Sequence, residues 1–281
     1  MRNHSFWIRL AGFPVWLSSR YAGMDYFFRG YRILPSEEDK AEYDRWIREA
    51  GYPAGLPLSV SEEELLAEAE AGEETPGAWP GNYLESLAFY RKICSGLLFQ
   101  DTLLFHCSAL KVDGAACLFT APSGTGKSTH ARLWRGLLGE RAVIINDDKP
   151  LLRRMADGSF YAYGTPYAGK HHLQTNTSAR VGAVFCLHQA EENTIRRMTA
   201  REAFPFLFVQ GYRDRQNPAS VARAMDLIYG LAGLPVFSLG CTISEEAARL
   251  AYGAFESCLS PANGRTENPQ PDRDDGSPDK R

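Results

Sequence analysis

The sequence lacks the cysteine spacing of a metal knuckle or a redox dithiol. It has six cysteines in 281 residues, and no two of them are spaced as C-x-x-C. Because that spacing is typical of zinc sites and redox-active pairs, neither is predicted. Most of the cysteines lie among apolar neighbours, which indicates small buried side chains in a reducing compartment.

Long apolar runs and a charge excess are also missing. No apolar stretch is long enough to span a bilayer, and the short apolar run near the start is interrupted by Arg9, so no secretion signal is predicted. The formal net charge of −3 gives no reason to expect attraction to nucleic acid or to an anionic membrane. We therefore predict a cytoplasmic protein that binds neither.

The hydrophobic pattern divides the chain into three parts. Residues 1–100 predict an α+β region of unknown role. Residues 101–259 alternate buried strands with helices and predict an α/β domain. Residues 260–281 are almost all polar, charged, Pro or Gly, so we predict that they are disordered. The predicted elements of the first part are a strand over 6–10 and helices over 37–50, 61–71 and 82–98, the last capped by Asn82.

Residues 121–129 read APSGTGKST, between a predicted strand at 115–120 and a helix that begins near Ser128. This is close to the phosphate-loop pattern G-x-x-x-x-G-K-[ST], with Ala121 at the first position. Glycines let successive N–H groups converge on one anion, and the helix directs its positive end at the same place. Lys127 is predicted to reach the β- and γ-phosphates, and the Ser128 hydroxyl to meet Mg²⁺. The predicted nucleotide-binding residues are Ser123, Gly124, Thr125, Gly126, Lys127, Ser128 and Thr129.

Asp147 and Asp148 follow the buried strand predicted at 142–146. A bound nucleotide needs a carboxylate nearby, because Mg²⁺ bridges the β- and γ-oxygens. Adjacent aspartates at a strand end point in different directions. One is therefore predicted to bind metal while the other accepts the proton of an attacking hydroxyl.

His106 lies in a strand predicted over 103–112, whose hairpin partner leads into the phosphate loop. The turn between the two strands is Asp113-Gly114, a strong hairpin signal. The imidazole is predicted to lie close to the phosphates, where it could bind a metal or form an ion pair with Asp147 and tune its pKa.

Together, HCSA at 106–109, SGTGKS at 123–128 and NDD at 146–148 resemble two related groups of enzymes. These are the bacterial HPr serine kinase/phosphorylases and the ATP-dependent phosphoenolpyruvate carboxykinases. The resemblance covers residues 100 to 258 and implies their α/β phosphate-loop fold, a mixed sheet with flanking helices. GTPYAGK at 164–170 and the chain length look more like the HPr kinase branch. That branch works as hexamers, so a homo-oligomer is one expectation.

The resemblance implies ATP and Mg²⁺ as cofactors, with catalytic residues Asp147, His106 and Lys127. Ser128 and Asp148 are the implied metal ligands and Asp147 the implied base, although the two aspartates could exchange roles. The implied acceptor is a hydroxyl of a protein or peptide, such as a serine. The carboxykinases need an arginine-rich site for carboxylate, and this site has no clear counterpart here. A carboxykinase-like enzyme that acts on oxaloacetate is therefore only the second alternative. A third is an ATP-binding sensor without turnover.

Overall fold

The computed structural model describes residues 4–71, 79–169 and 172–259, so the predicted disordered segment 260–281 lies outside the described residues. The strands are β1 (His4–Leu10), β2 (Phe13–Ser19), β3 (Thr102–Leu104), β4 (Ser108–Val112), β5 (Ala115–Thr120), β6 (Ala142–Asn146), β7 (Leu151–Arg154), β8 (Phe160–Tyr163), β9 (Ser178–Gln189), β10 (Thr194–Arg197) and β11 (Val236–Cys241). The α-helices are α1 (Met24–Phe27), α2 (Glu37–Glu49), α3 (Glu62–Ala71), α4 (Gly81–Leu97), α5 (Lys127–Leu138), α6 (Ala200–Phe208), α7 (Pro218–Ala232) and α8 (Glu245–Leu259). Among these helices, none is both long and apolar enough to cross a membrane.

The later part of the chain is built on one large mixed sheet. Its described strands lie in the order β3-β7-β8-β9-β5-β4-β6, with β11 paired to β9 and β10 paired to β11. Strand β9 runs parallel to both β5 and β11, and the pairings β4–β5 and β4–β6 are antiparallel. Helices α6 and α7 cover one face, and α5 and α8 cover the other. The predicted α/β class with a mixed sheet and flanking helices is confirmed in this general form.

Strand β5 is apolar up to its last residue, Thr120, because both of its faces are covered. Leu118 packs in the core beneath α6 and α7, whereas Phe119 packs beneath α5 and α8. Alternate residues of a strand point to opposite faces, so a strand covered on both sides reads as a continuous apolar run. Trp134 of α5 meets Phe119 edge-on, with 5.1 Å between ring centroids, and fixes the helix against the sheet.

A separate two-stranded hairpin, β1 and β2, supports the first part of the chain. Sequence reasoning missed β2, because its turn uses Ala11 at a φ of 51° instead of the usual Asn or Asp. Trp46 of α2 donates its indole N–H to the carbonyl of Pro14, 2.9 Å away, and ties the helix to this hairpin. The same core includes Leu151 and Tyr167 from beyond residue 100, so the boundary at residue 100 stays a prediction.

Two predicted elements need correction. The strand predicted over 103–112 is broken into β3 and β4, because the N–H groups of Phe105 and His106 donate to the carbonyls of Pro150 and Gln210 instead of to a sheet neighbour. The helix predicted from Asn82 begins at Gly81, after Pro80, and Asn82 does not cap it. The Asn82 side chain instead accepts from the next backbone N–H, that of Tyr83.

Candidate active site

Three neighbouring strands bring the predicted site residues to one edge of the large sheet. Residue pairing places Ser108, at the start of β4, opposite Phe119, near the end of β5. On the other side of β4, Ala109 lies opposite Asn146, the last residue of β6. The segments before β4, after β5 and after β6 therefore meet at this edge. They carry His106, the 121–129 loop and the two aspartates.

The 121–129 segment has the geometry of a strand, a loop and a helix. Gly124 and Gly126 adopt φ angles of 80° and 115°, which side chains with a Cβ resist. Thr125 fastens the loop by donating its hydroxyl to the Pro122 carbonyl at 2.9 Å. No side chain caps α5 at Gly126, so the first-turn N–H groups and the positive end of the helix face the loop. The predicted residues Ser123, Ser128 and Thr129 all lie on this segment.

Lys127 folds back over its own loop. Its side chain is buried, and Nζ donates to the carbonyl of Ala121 at 2.9 Å and of Pro122 at 3.2 Å. Burial lowers the pKa of Lys127, while the negative charge of Asp148 acts in the opposite direction. An ammonium has three donors, and two carbonyls accept here, which leaves a donor for an anionic oxygen.

The imidazole of His106 contacts Asp148, not Asp147. Nε2 lies 3.4 Å from Asp148 Oδ1, and this corrects the predicted ion pair with Asp147. Nδ1 lies 2.9 Å from Gln210 Oε1, an acceptor, so this contact is a hydrogen bond in the form that carries a proton on Nδ1. The His106 carbonyl accepts the Thr120 hydroxyl at 3.0 Å, which ties the histidine to the end of β5. The pair with Asp148 is charged on both sides only when both ring nitrogens are protonated.

Asp148 is ionised in this setting. Burial by itself raises the pKa of Asp148, but the hydrogen bond from His106 and the positive charge of Lys149 outweigh that effect and hold the pKa below its usual range. Lys149 Nζ lies 3.9 Å from Asp148 Oδ2, and the charge of Lys127 contributes in the same direction. The Asp148 side chain is 27% exposed, so it combines a stable negative charge with access from solvent.

Asp147 points into the protein. It is only 4% exposed, and its Oδ1 accepts the backbone N–H of Gly169 at 2.9 Å. Gly169 leaves little space here, because a Cβ at that position would lie 3.2 Å from Asp147 Oδ2. The two aspartates therefore face different surroundings, as predicted for neighbours at a strand end.

Asn146 organises the turn that carries both aspartates, a role that sequence reasoning did not assign. Its side chain is fully buried, and its amide N–H₂ donates to the carbonyls of Thr165 and Tyr167 at 3.2 and 3.1 Å. Its Oδ1 accepts the backbone N–H groups of Asp148 and Lys149 at 2.9 and 2.8 Å. A polar residue closing an apolar strand was the one available signal.

Two residues after α6 make contacts that sequence reasoning did not predict. Gln210 holds His106 by both its side chain and its carbonyl, a contact that spans more than a hundred residues and has no local signal. Arg213 donates to the carbonyls of Phe208 and Gly211, each at 2.8 Å. It is thus committed to its own loop.

The oxygen donors near the loop suit Mg²⁺. Within the described ranges, no three His, Cys, Asp or Glu side chains cluster as a self-contained metal site. Mg²⁺ does not need one, because it commonly takes one or two protein ligands and completes its shell with phosphate oxygens and water. The hydroxyl of Ser128 and the ionised Asp148 are hard oxygen donors of this kind.

Comparisons with known proteins give a distant likeness. No family model and no curated protein matches the chain. Among solved structures, the HPr(Ser) kinase/phosphatase from Coxiella burnetii is similar over 55% of this chain and 94% of that chain, with 12% identity and a TM-score of 0.32. At this identity and TM-score the likeness is distant and supports no assignment of fold or function.

Proposed function

We propose that the chain is an ATP- and Mg²⁺-dependent kinase that transfers the γ-phosphoryl group to a hydroxyl. The observation that carries the proposal is the meeting of three segments at one sheet edge. These segments adjoin separate strands, and together they carry the loop with Lys127, the His106–Asp148 contact and the buried Asp147. A phosphate cradle alone would fit any nucleotide-binding protein, whereas a neighbouring pair of carboxylates supplies both a metal ligand and a base.

Each residue of the site then has a separate role. The loop N–H groups and Lys127 bind the phosphates, and Asp148 with Ser128 holds the metal. Mg²⁺ held by these residues would neutralise phosphate charge during the transfer. The acceptor oxygen attacks the γ-phosphorus, the bond from that phosphorus to the β,γ-bridging oxygen breaks, and ADP leaves with the electron pair. The proton of the hydroxyl passes to Asp147. His106 acts through Asp148, which it orients and keeps ionised.

The low pKa of Asp148 favours its assignment to the metal, since a metal ligand has to be deprotonated. Asp147 then remains for the base. The two possible assignments of metal ligand and base predict different effects of each variant on the Mg²⁺ dependence of activity. If Asp148 is the ligand, Asp148→Asn raises the Mg²⁺ concentration needed for half-maximal activity, whereas Asp147→Asn lowers kcat with little change in that concentration.

The test measures ATP binding by titration calorimetry and ADP release with pooled serine-containing peptides. We expect Mg²⁺-dependent binding and acceptor-dependent ADP release, with kcat/KM about 10²- to 10³-fold lower in Lys127→Ala, by analogy with the loss of one preorganised donor. Lys40→Ala, on the exposed side of α2, is the matched control. Binding without any phosphoryl transfer would favour the sensor, and unchanged activity in Lys127→Ala would exclude this mechanism.

A further inference from the structure

A cleft of about 280 Å³ lies next to the candidate site, between the α3–α4 pair and the sheet edge. Its lining includes Lys149, which directly follows Asp148 and places Nζ 3.9 Å from Asp148 Oδ2. Three larger cavities, of about 470, 590 and 660 Å³, are lined neither by Lys149 nor by any predicted site residue. The smaller cleft is therefore the one of these four cavities whose lining includes a residue in contact with Asp148.

The cleft and the site share one supporting segment. Tyr212, which lines the cleft, lies two residues beyond Gln210, the partner of His106. Tyr212 is held by its backbone N–H, which donates to the Leu104 carbonyl at 2.9 Å, and by its hydroxyl, which lies 3.2 Å from Ser95 Oγ. One wall of the cleft and the support of His106 therefore belong to the same segment.

The charges around the cleft are already paired within the chain. Arg91 makes a two-point ion pair with Glu68, with Nη2 2.9 Å from Oε2 and a second contact through Nε. Lys149 faces Asp148. The remaining lining is largely apolar and includes Leu87, Cys94 and Leu104. A charged ligand would have to break an existing pair, whereas an apolar group loses nothing by leaving water here.

We propose that this cleft binds an apolar side chain of the phosphoryl acceptor, and that the acceptor is a peptide segment with its Ser or Thr hydroxyl one to three residues from that side chain. The inference rests on the proposed function. The volume is just below the range of about 300–1,000 Å³ usual for whole ligands, which fits one side chain. Because Asp148 does not line the cleft, the anchor and the hydroxyl belong to different residues of one chain, which advances about 3.3 Å per residue when extended.

The first experiment measures binding without nucleotide. Fluorescein-labelled peptides carry one Ser and a Leu or Phe at one, two or three positions on either side, and matched peptides carry Ala there. For one position of the apolar residue relative to Ser, we expect at least about tenfold tighter binding than for the matched alanine peptide, measured by fluorescence anisotropy. The peptide with that position should also have the higher kcat/KM with Mg²⁺-ATP. Equal binding of apolar and alanine peptides would overturn the proposal.

The second experiment fills the cleft. Leu87→Trp should abolish the preference for the apolar peptide over its alanine match, so that the two bind about equally. Leu87→Phe should reduce this preference partly. The affinity for ATP should stay within twofold in both variants. The matched control is Leu66→Trp, at an exposed position on α3 that does not line the cleft. A preference that survives Leu87→Trp would contradict the assignment.

The outcomes also separate this inference from the proposed function. If ATP binds and small-molecule alcohols but no peptides accept phosphate, the peptide acceptor is wrong while the kinase proposal stands. If the anchored peptides bind and ATP does not, the kinase proposal fails while the cleft remains a peptide-binding site.

Discussion

The imidazole of His106 lies against the carboxylate of Asp148, with 3.4 Å between Nε2 and Oδ1. This contact is one of the causes that lower the pKa of Asp148, so its loss should raise that pKa. We expect the acid limb of the pH–activity profile in His106→Ala to move to higher pH, since Asp148 must be ionised to act. Measuring kcat/KM from pH 4 to 8 checks this.

A double-mutant cycle shows whether His106 acts through Asp148. If it does, His106→Ala combined with Asp148→Asn should be no worse than Asp148→Asn alone, because residues that work as a unit are not additive. Additive losses would mean that His106 has an independent role. Gln210→Ala, which removes the support of the ring, should reproduce a smaller form of the His106→Ala shift.

Replacing the side-chain amide of Asn146 should lower the free energy of unfolding of the protein. In Asn146→Asp, one carboxylate oxygen can still accept the N–H groups of Asp148 and Lys149. The other oxygen replaces the amide N–H₂ and has no hydrogen to donate to the carbonyls of Thr165 and Tyr167. Unsatisfied buried groups cost about 1–3 kcal/mol each, and more when charged, so we expect a loss of about 3 kcal/mol or more in the free energy of unfolding. Urea denaturation measures it.

The elements flanking the loop could be predicted because their signals are local. The turn predicted at Asp113-Gly114 lies between the paired antiparallel strands β4 and β5. Both of its residues take positive φ angles, which such dipeptides allow. The loop itself lies between β5 and α5, and this context also depends only on neighbouring residues.

The partner of His106 could not be predicted, because it depends on contacts between distant segments. The break between β3 and β4 requires the carbonyls of Pro150 and Gln210, which no local pattern reveals. That break sets the position of the ring. Likewise, the sequence could show that Asp147 and Asp148 point apart, but not which one would turn inward toward Gly169.

His130, one turn into α5, should make the protein acid-sensitive. Burial lowers its pKa from 6.5 to about 4, and Nε2 is buried without a hydrogen-bond partner in the described structure. The unfolded chain therefore binds a proton more readily than the folded one between those values. Stability should rise with pH from about 4 to 6.5, by at most about 3 kcal/mol, and should change little from this group above that range.

Denaturation midpoints measured across pH 4–8 test the assignment to His130. His130→Leu should flatten the rise below pH 6.5, whereas His188→Leu, at an exposed position, should leave it in place. If the rise persists unchanged in His130→Leu, another group is responsible.

Two glycines near Asp147 should separate stability from activity. A Cβ at Gly164 would lie 2.0 Å from the Thr175 carbonyl oxygen, so Gly164→Ala should cost about 3 kcal/mol or more, or prevent folding. At Gly169, a Cβ would lie 3.2 Å from Asp147 Oδ2 and displace that carboxylate by only a few tenths of an ångström. We expect Gly169→Ala to keep its stability within about 1 kcal/mol while kcat falls roughly three- to tenfold, since small misplacements of reacting groups are costly.

Gly136→Ala is the matched control for Gly169→Ala, because nothing lies within 4 Å of a Cβ at that position in α5. It should be slightly stabilising, by about 0.5–1 kcal/mol, with kcat unchanged. Parallel urea melts and steady-state kinetics on the three variants distinguish the effects. A Gly169→Ala protein with normal kcat would show that the position of Asp147 does not limit the reaction, and the base would then have to be sought at Asp148.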